Sequence, residues 1–291
     1  MFKLFGKKNP ESQPAPREEP ALQPKHPEAA ALAAQFGSEE FDILAVTGAN
    51  AFGGGEEDEG EEYRTVTLPL TAWREDDGPI HQEDTVLVAL ADEKVLPYLR
   101  RRAPGDSIIQ ARVRQGLNDD RFLLVGMPAP MMDRELKAIL DEQKKPVTFW
   151  ESGLGTFTLN RAVGWFELET DWLDQPVRLE FDRDENRADC LLHLHTLMDK
   201  QQEWDRRVRD FAADKLLELA NQWAQEGGEE EEEPQEVTRE DFMSRMELDA
   251  VQVYEDGAFD FWFNDGDLFW GHSIHVTGSL KAGPEDAQME G

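Results

Sequence analysis

The sequence predicts an α+β protein in two domains: a small β-barrel, for which an OB-type arrangement is one candidate, followed by an antiparallel sheet covered by helices. Three observations carry that reading. Between Phe41 and Val125, short runs rich in Val, Ile and Leu alternate with turns built from Asp, Asn, Gly and Pro. From about Asn186 to Gln225, apolar residues recur at three-to-four spacing, as along amphipathic helices. From Tyr254 to Gly278, aromatic and polar positions alternate around acidic turns that contain glycine, the pattern of tight antiparallel hairpins. A chain of 291 residues can bury two cores of ordinary size without disulfide or metal support.

Residues 1–37 are expected to form a disordered tether. The octet Met1–Lys8 mixes Phe2, Leu4 and Phe5 with lysines and would hold a membrane surface weakly and reversibly at most. The rest is rich in Pro, Glu, Gln and Ala, with too little apolar surface to offset chain entropy.

The β-rich domain is assigned to residues 38–132. Strands are expected at Phe41 to Thr47 (FDILAVT), Tyr63 to Leu70, Thr85 to Leu90, Ser107 to Val113 and Arg121 to Val125, with a short helix around Lys94 to Arg101. Five strands and one helix suit a small barrel. The loop from Gly48 to Glu62 is Gly-rich. No Gly-Lys-Ser/Thr follows it and its carboxylates repel phosphate, so it reads as a mobile surface loop, not a phosphate cradle. Asp133 stands where an N-cap is needed, and Leu136, Ile139 and Leu140 lie at helical spacing, so residues 133–146 read as a helix linking the domains.

The α+β domain is assigned to residues 147–291. Strands are expected at Gly155 to Asn160, Gly164 to Glu169 and Pro176 to Asp182, then two helices meeting near Gln201. The acidic run from Glu226 to Glu236, with Gly227, Gly228 and Pro234, breaks the second helix and reads as a solvated loop. Thr238, with Asp241 three residues on, caps a short helix that runs to Met246. Glu247 to Tyr254 begins the final meander.

Three stretches of this half have a recognisable order: GTFTLNRAVGWFE (Gly155 to Glu167), QEWDRRVRDFAADKLLELANQW (Gln202 to Trp223) and FDFWFNDGDLFWGHSIHVTG (Phe259 to Gly278). In these it resembles a bacterial family known only as domain of unknown function 2262, over roughly Gly153 to Gly291. The N-terminal half is similar to a companion domain found ahead of it. The resemblance implies an α+β domain in a cytoplasmic bacterial protein and transfers no catalytic or binding residue.

Composition narrows the function classes. Asp and Glu number 62 against 30 Lys and Arg, for a formal charge of -32 and a pI near 4.4. Such a surface disfavours nucleic acid and anionic lipid, whose recognition needs Lys and Arg against phosphate, and is compatible with a basic protein partner or a divalent cation; a heavily solvated acidic surface is the plainer account of it. Basic residues gather only at Arg100, Arg101, Arg102, Arg112 and Arg114, near Trp73 and Tyr98. Pairing with neighbouring Asp and Glu is the plainer account of them. One cysteine, Cys190, excludes an internal disulfide and a thiolate zinc site, and fits a reducing cytoplasm. No apolar run approaches the ~18 residues of a membrane span.

The candidate binding residues are Trp262, Asp265, Asp267 and His272. Strand parity sends His272 and His275 to opposite faces, so the two cannot share one metal; His272 with Asp265 and Asp267 remains a conceivable ligand set. Against it, the aspartates suit turn-making bonds to backbone, and His272 a bond to a carbonyl. His193 and His195 lie about 200° apart on a helix, on opposite faces. Ser273 lacks a nucleophile elbow. Phe259, Phe261 and Phe263 share the core face, which puts Trp262 on the polar one. There it is either covered by a further helix, the reading favoured from sequence, or a contact surface. Two functional readings follow: a non-enzymatic interaction module with an acidic surface, immunity-like in character, or a metal-dependent hydrolase using His272 with Asp265 and Asp267. No cofactor is implied, and the oligomeric state is open.

Overall fold

A computed structural model describes residues 22, 27–54, 63–226 and 236–291. The chain divides into two compact units, Met1–Lys145 and Pro146–Gly291.

The first unit is a closed barrel. Strands β1 (Phe41–Thr47), β2 (Arg64–Glu75), β3 (Thr85–Ala91), β4 (Ile108–Gln115) and β5 (Phe122–Leu124) pair in the order β1-β2-β3-β5-β4, and β4 returns to β1. The β3–β5 pair is parallel and the other pairings are antiparallel. Helix α2 (Val95–Arg102) stands between β3 and β4 in the chain, which completes the OB-type arrangement. Alternation along β2 drives closure: Val66, Leu68, Leu70 and Ala72 are buried while Thr65, Pro69 and Glu75 are exposed.

Three expectations for this unit need revision. The tether is shorter than expected, since α1 (Pro27–Ala33) sets Leu32, with Phe36, against Val88, Leu90 and Leu123. Of residues 1–26, which include the Met1–Lys8 octet, only Leu22 is described, and it is buried. The Gly-rich loop is partly anchored: Phe52 is buried in the barrel core and Gly53 bridges to Thr67. Residues 55–62 lie outside the described set. After the short β6 (Ala129–Pro130) comes α3 (Arg134–Gln143), which packs on the barrel, with Leu136 and Leu140 against Val46, Ala72 and Ile108. Asp133 caps it as expected, accepting from the Glu135 and Leu136 amides, and also pairs with the buried Arg74.

The second unit is one eight-stranded sheet: β7 (Thr148–Glu151), β8 (Gly155–Asn160), β9 (Trp165–Trp172) and β10 (Gln175–Asp182), then β11 (Glu247–Val253), β12 (Ala258–Asn264), β13 (Ser273–Ser279) and β14 (Gly283–Glu290), in spatial sequence from β7 to β14. Every neighbouring pair is antiparallel except β10–β11. That joint is parallel because the chain leaves β10 for three helices, α4 (Arg187–Met198), α5 (Gln201–Glu226) and α6 (Arg239–Arg245), and re-enters at the near edge, as a crossover must.

All three helices cover one face. Phe157, Phe166, Leu168, Leu179, Phe181, Val251, Phe259, Phe261, Phe263, Ile274 and Val276 form one core with Leu194, Trp204, Val208, Ala212 and Phe242 of the helices. Asn186 caps α4 through its side chain and Thr238 caps α6. Of the acidic run Glu226–Glu236 expected as a solvated loop, Glu226 instead ends α5 and Glu236 is exposed, while residues 227–235 lie outside the described residues.

Candidate functional site

Because α4, α5 and α6 occupy the Phe259–Phe261–Phe263 face, no described helix of this unit packs on the other. The favoured expectation of a helix over Trp262 is thereby corrected. Register defines what this open face carries. Trp262 pairs with Ala250 and His275, and Asp260 with Gln252 and Thr277. Across the parallel joint, Ala250 meets Arg178 and Gln252 meets Glu180; beyond them stand Glu169 and Glu167. Carboxylates stand in β9 (Glu167, Glu169), β10 (Glu180), β11 (Asp249), β12 (Asp260) and β14 (Asp286, Glu290), while β8 and β13 hold none, and Arg178 is the only Lys or Arg in the eight strands.

Polar burial concentrates near the middle of this face. Glu180 is 6% exposed, Gln252 2% and His275 9%. They are buried by one another and by large neighbours. Trp262 stacks on His275 with ring centroids 3.8 Å apart and planes at 7°. His275 Nδ1 bonds Glu290 Oε1 at 2.9 Å, and its Nε2 stands 3.5 Å from Asp260 Oδ1. The Tyr254 hydroxyl donates to the other Asp260 oxygen at 2.7 Å, and burial together with that carboxylate pushes the phenol's pKa up.

Beside this stack lies a cleft of about 270 Å³, lined by Trp165, Arg178, Glu180, Asp249, Gln252, Trp262, Asn264 and Ser273. Arg178 divides itself between Glu180 Oε1 at 3.0 Å and Asp249 Oδ2 at 2.6 Å. Burial raises the Glu180 carboxyl above its ordinary range; Arg178 opposes that, while Glu167 and Asp249 add to it. The Gln252 side-chain nitrogen has no hydrogen-bond partner among the described residues.

The other sequence-derived candidates lie elsewhere. Asp265 is a turn-maker: its Oδ1 accepts from the Asp267 amide at 3.3 Å, and its Oδ2 from Phe269 at 2.5 Å and Gly271 at 3.2 Å. Asp267 is exposed with φ of 64°, and the preceding Gly266 leaves no room for a Cβ, which would stand 2.3 Å from the Arg245 carbonyl oxygen. His272 donates from Nδ1 to the Phe269 carbonyl at 2.6 Å and its ring meets the edge of Trp223. Only Trp262 of the four therefore lines the cleft. No cluster of three or more His, Cys, Asp or Glu side chains suited to a metal occurs among the described residues.

The remaining motifs are similarly occupied. His193 bonds the Tyr254 carbonyl, His195 pairs with Glu151, and Cys190 is fully buried between sheet and helices. In the barrel, Arg112 and Arg114 pair with Glu40 and Asp42, Arg100 donates to the Phe52 carbonyl, Arg101 lies over Tyr98, and Trp73 stacks on His81. A larger hollow of about 860 Å³ follows α5; of its polar lining, Asn221 bonds Leu217 and Val237, and Arg239 pairs with Asp210 and Asp214.

Sequence reasoning missed Trp165, Arg178, Glu180 and Gln252, and weighed His275 only as a metal ligand beside His272. The alternation in PVRLEFD and LDAVQV does assign Arg178, Glu180 and Gln252 to the polar face. Nothing local says that β10 and β11, separated by three helices, lie side by side.

Comparison with curated proteins and with solved structures finds no significant match in either. Residues 28–143 match a domain of unknown function, DUF7021, which is the companion domain ahead of the sheet. Residues 151–289 match the family described as uncharacterized proteins conserved in bacteria, DUF2262, and the helix-covered sheet with its open acidic face is the DUF2262 domain of this protein.

Proposed function

We propose that the protein is a non-enzymatic interaction module of the bacterial cytoplasm whose open sheet face docks a basic protein, as an immunity protein engages a basic toxin. One observation supports this above the others: a sheet face uncovered by any described helix of its own unit, with carboxylates in five of its strands, a single arginine among them and a tryptophan at its centre. An exposed sheet face of one charge sign steers an oppositely charged partner and suppresses like-charged ones. Tryptophan, large and able to bury at a contact, is the residue type most enriched among binding hot spots. The alternative, a metal-dependent hydrolase built on His272, Asp265 and Asp267, has less to stand on, because backbone groups of the turn already occupy Asp265 and His272.

The test is affinity capture from the native host with the wild-type chain and two double variants. Glu169→Lys with Asp286→Lys reverses charge on the open face; Glu218→Lys with Glu240→Lys does so on the helical side. The expected result is a basic partner that elutes with salt, is lost with the first variant and is kept with the second. A partner indifferent to the open-face reversal, or no salt-sensitive partner at all, overturns the reading.

A further inference from the structure

Resting on the reading of the open face as the partner surface, we infer that the cleft between Trp165 and Trp262 receives the guanidinium group of one partner arginine. The volume of about 270 Å³ suits a single long side chain and excludes a helix or strand. The charge balance asks for a cation. Arg178 is shared by Glu180 and Asp249, and Glu167 stands beside Glu180 in register, so the cleft keeps surplus negative charge at a nearly buried carboxylate. Burial is the main cause of the upward displacement of the Glu180 carboxyl, and Glu167 and Asp249 add to it.

A second, independent observation is the Gln252 amide, 2% exposed, lining the cleft with one end unpartnered. As placed, the unpartnered end is the Nε2 donor; a half-turn of the amide puts Oε1 there instead, and in that orientation it accepts from an incoming N–H. An orphaned buried amide is costly to leave unmade, and a ligand that meets it recovers that cost.

Arginine fits better than lysine. A guanidinium is planar and weakly hydrated, stacks on indole and presents a fork of N–H groups to a carboxylate, whereas an ammonium is a compact, strongly hydrated point charge. Trp262 is held flat for such stacking by His275 beneath it.

The experiment is a titration of the full-length protein with N-acetyl-arginine amide and, in parallel, with the neutral isostere N-acetyl-citrulline amide. Indole N–H resonances are followed by ¹H–¹⁵N NMR, and Trp165→Phe and Trp262→Phe assign the two signals. Saturable shifts of both indoles with arginine, absent with citrulline and weakened about tenfold or more in Glu180→Gln, are expected for loss of one charge-assisted contact. Equal response to citrulline, unmoved indoles, or unchanged affinity in Glu180→Gln overturns the inference. Should Glu180→Gln fail to fold, Trp165→Leu at its half-exposed position decides the same question through the Trp262 signal. A partner that requires the open face while arginine leaves both indoles unmoved defeats the cleft alone; a partner indifferent to that face defeats the docking surface.

Discussion

Trp262 and His275 face each other across the β12–β13 ladder, one stacked flat on the other at 3.8 Å. Direct cross-strand partners have their Cβ atoms close enough for such contact, and both side chains point away from the helices because the residues on either side, Phe261, Phe263, Ile274 and Val276, point toward them. The stack also shields a polar string, Glu290–His275–Asp260–Tyr254, that would otherwise lie open to water.

A double-mutant cycle measures that relationship. Trp262→Ala and His275→Ala are each expected to destabilise the C-terminal unit by roughly 1–2 kcal/mol, with a coupling of about 1 kcal/mol between them in denaturant unfolding. Additive losses would show that the rings touch without supporting each other.

The turn after β12 separates two aspartates that look alike in sequence. Asp265 accepts from three backbone amides, so Asp265→Ala leaves those donors without their acceptor and should cost about 3 kcal/mol. Asp267 is exposed and in the left-handed region, where asparagine is equally at home, so Asp267→Asn should stay within about 0.5 kcal/mol. Melting curves of the two variants check this, and similar losses in both would contradict the turn-maker assignment.

Glu180 gives the acidic face a pH signature. Its folded pKa lies above the ordinary carboxylate value, so the native state holds the proton more tightly than the unfolded chain does. The favourable contribution of the protonated form is fully present below the unfolded value and is lost as pH rises through the raised folded value. Glutamine imitates the protonated form, so the melting temperature of Glu180→Gln relative to wild type should climb as pH rises from the ordinary glutamate range, about 4.3, through the raised folded value. A difference that is flat or falls over that interval would mean Arg178 outweighs burial.

Cys190 should be chemically silent. It is fully buried, and burial foremost, aided by nearby Glu185, Glu255 and Asp189, pushes its thiol pKa up to about 12. Labelling by a disulfide reagent is expected to run more than about a hundredfold slower in the native protein than in denaturant, where the thiol is accessible and near its ordinary pKa. Fast native labelling would show that α4 opens from the sheet.

Much of the fold was legible because local rules and tertiary packing agree. The run Phe41–Thr47 is a strand with the bounds its composition suggests, Asp133 and Thr238 cap the helices they announce, and the alternation of β12 assigns the phenylalanines to one face and Trp262 to the other. Departures occur where distant contacts override composition. Ala-rich residues at 27–33 form a helix, with Leu32 set against β3 and β5 residues. Helix α3 reads as a connector from its position, yet Leu136 and Leu140 find a barrel surface to bury.

The candidate site divides in the same way. Periodicity by itself fixed the direction of Trp262, the parity that separates His272 from His275, and the turn chemistry of Asp265, since each depends on dihedral repeats and on hydrogen bonds within a few residues. What covers a face, and which strand lies next to which, depends on a crossover of three helices and a parallel joint that no short-range rule encodes. Tertiary structure alone decided that α4, α5 and α6 all pack on the phenylalanine face, that Arg178 and Glu180 meet Gln252 beside Trp262, and that an acidic cleft is left open there.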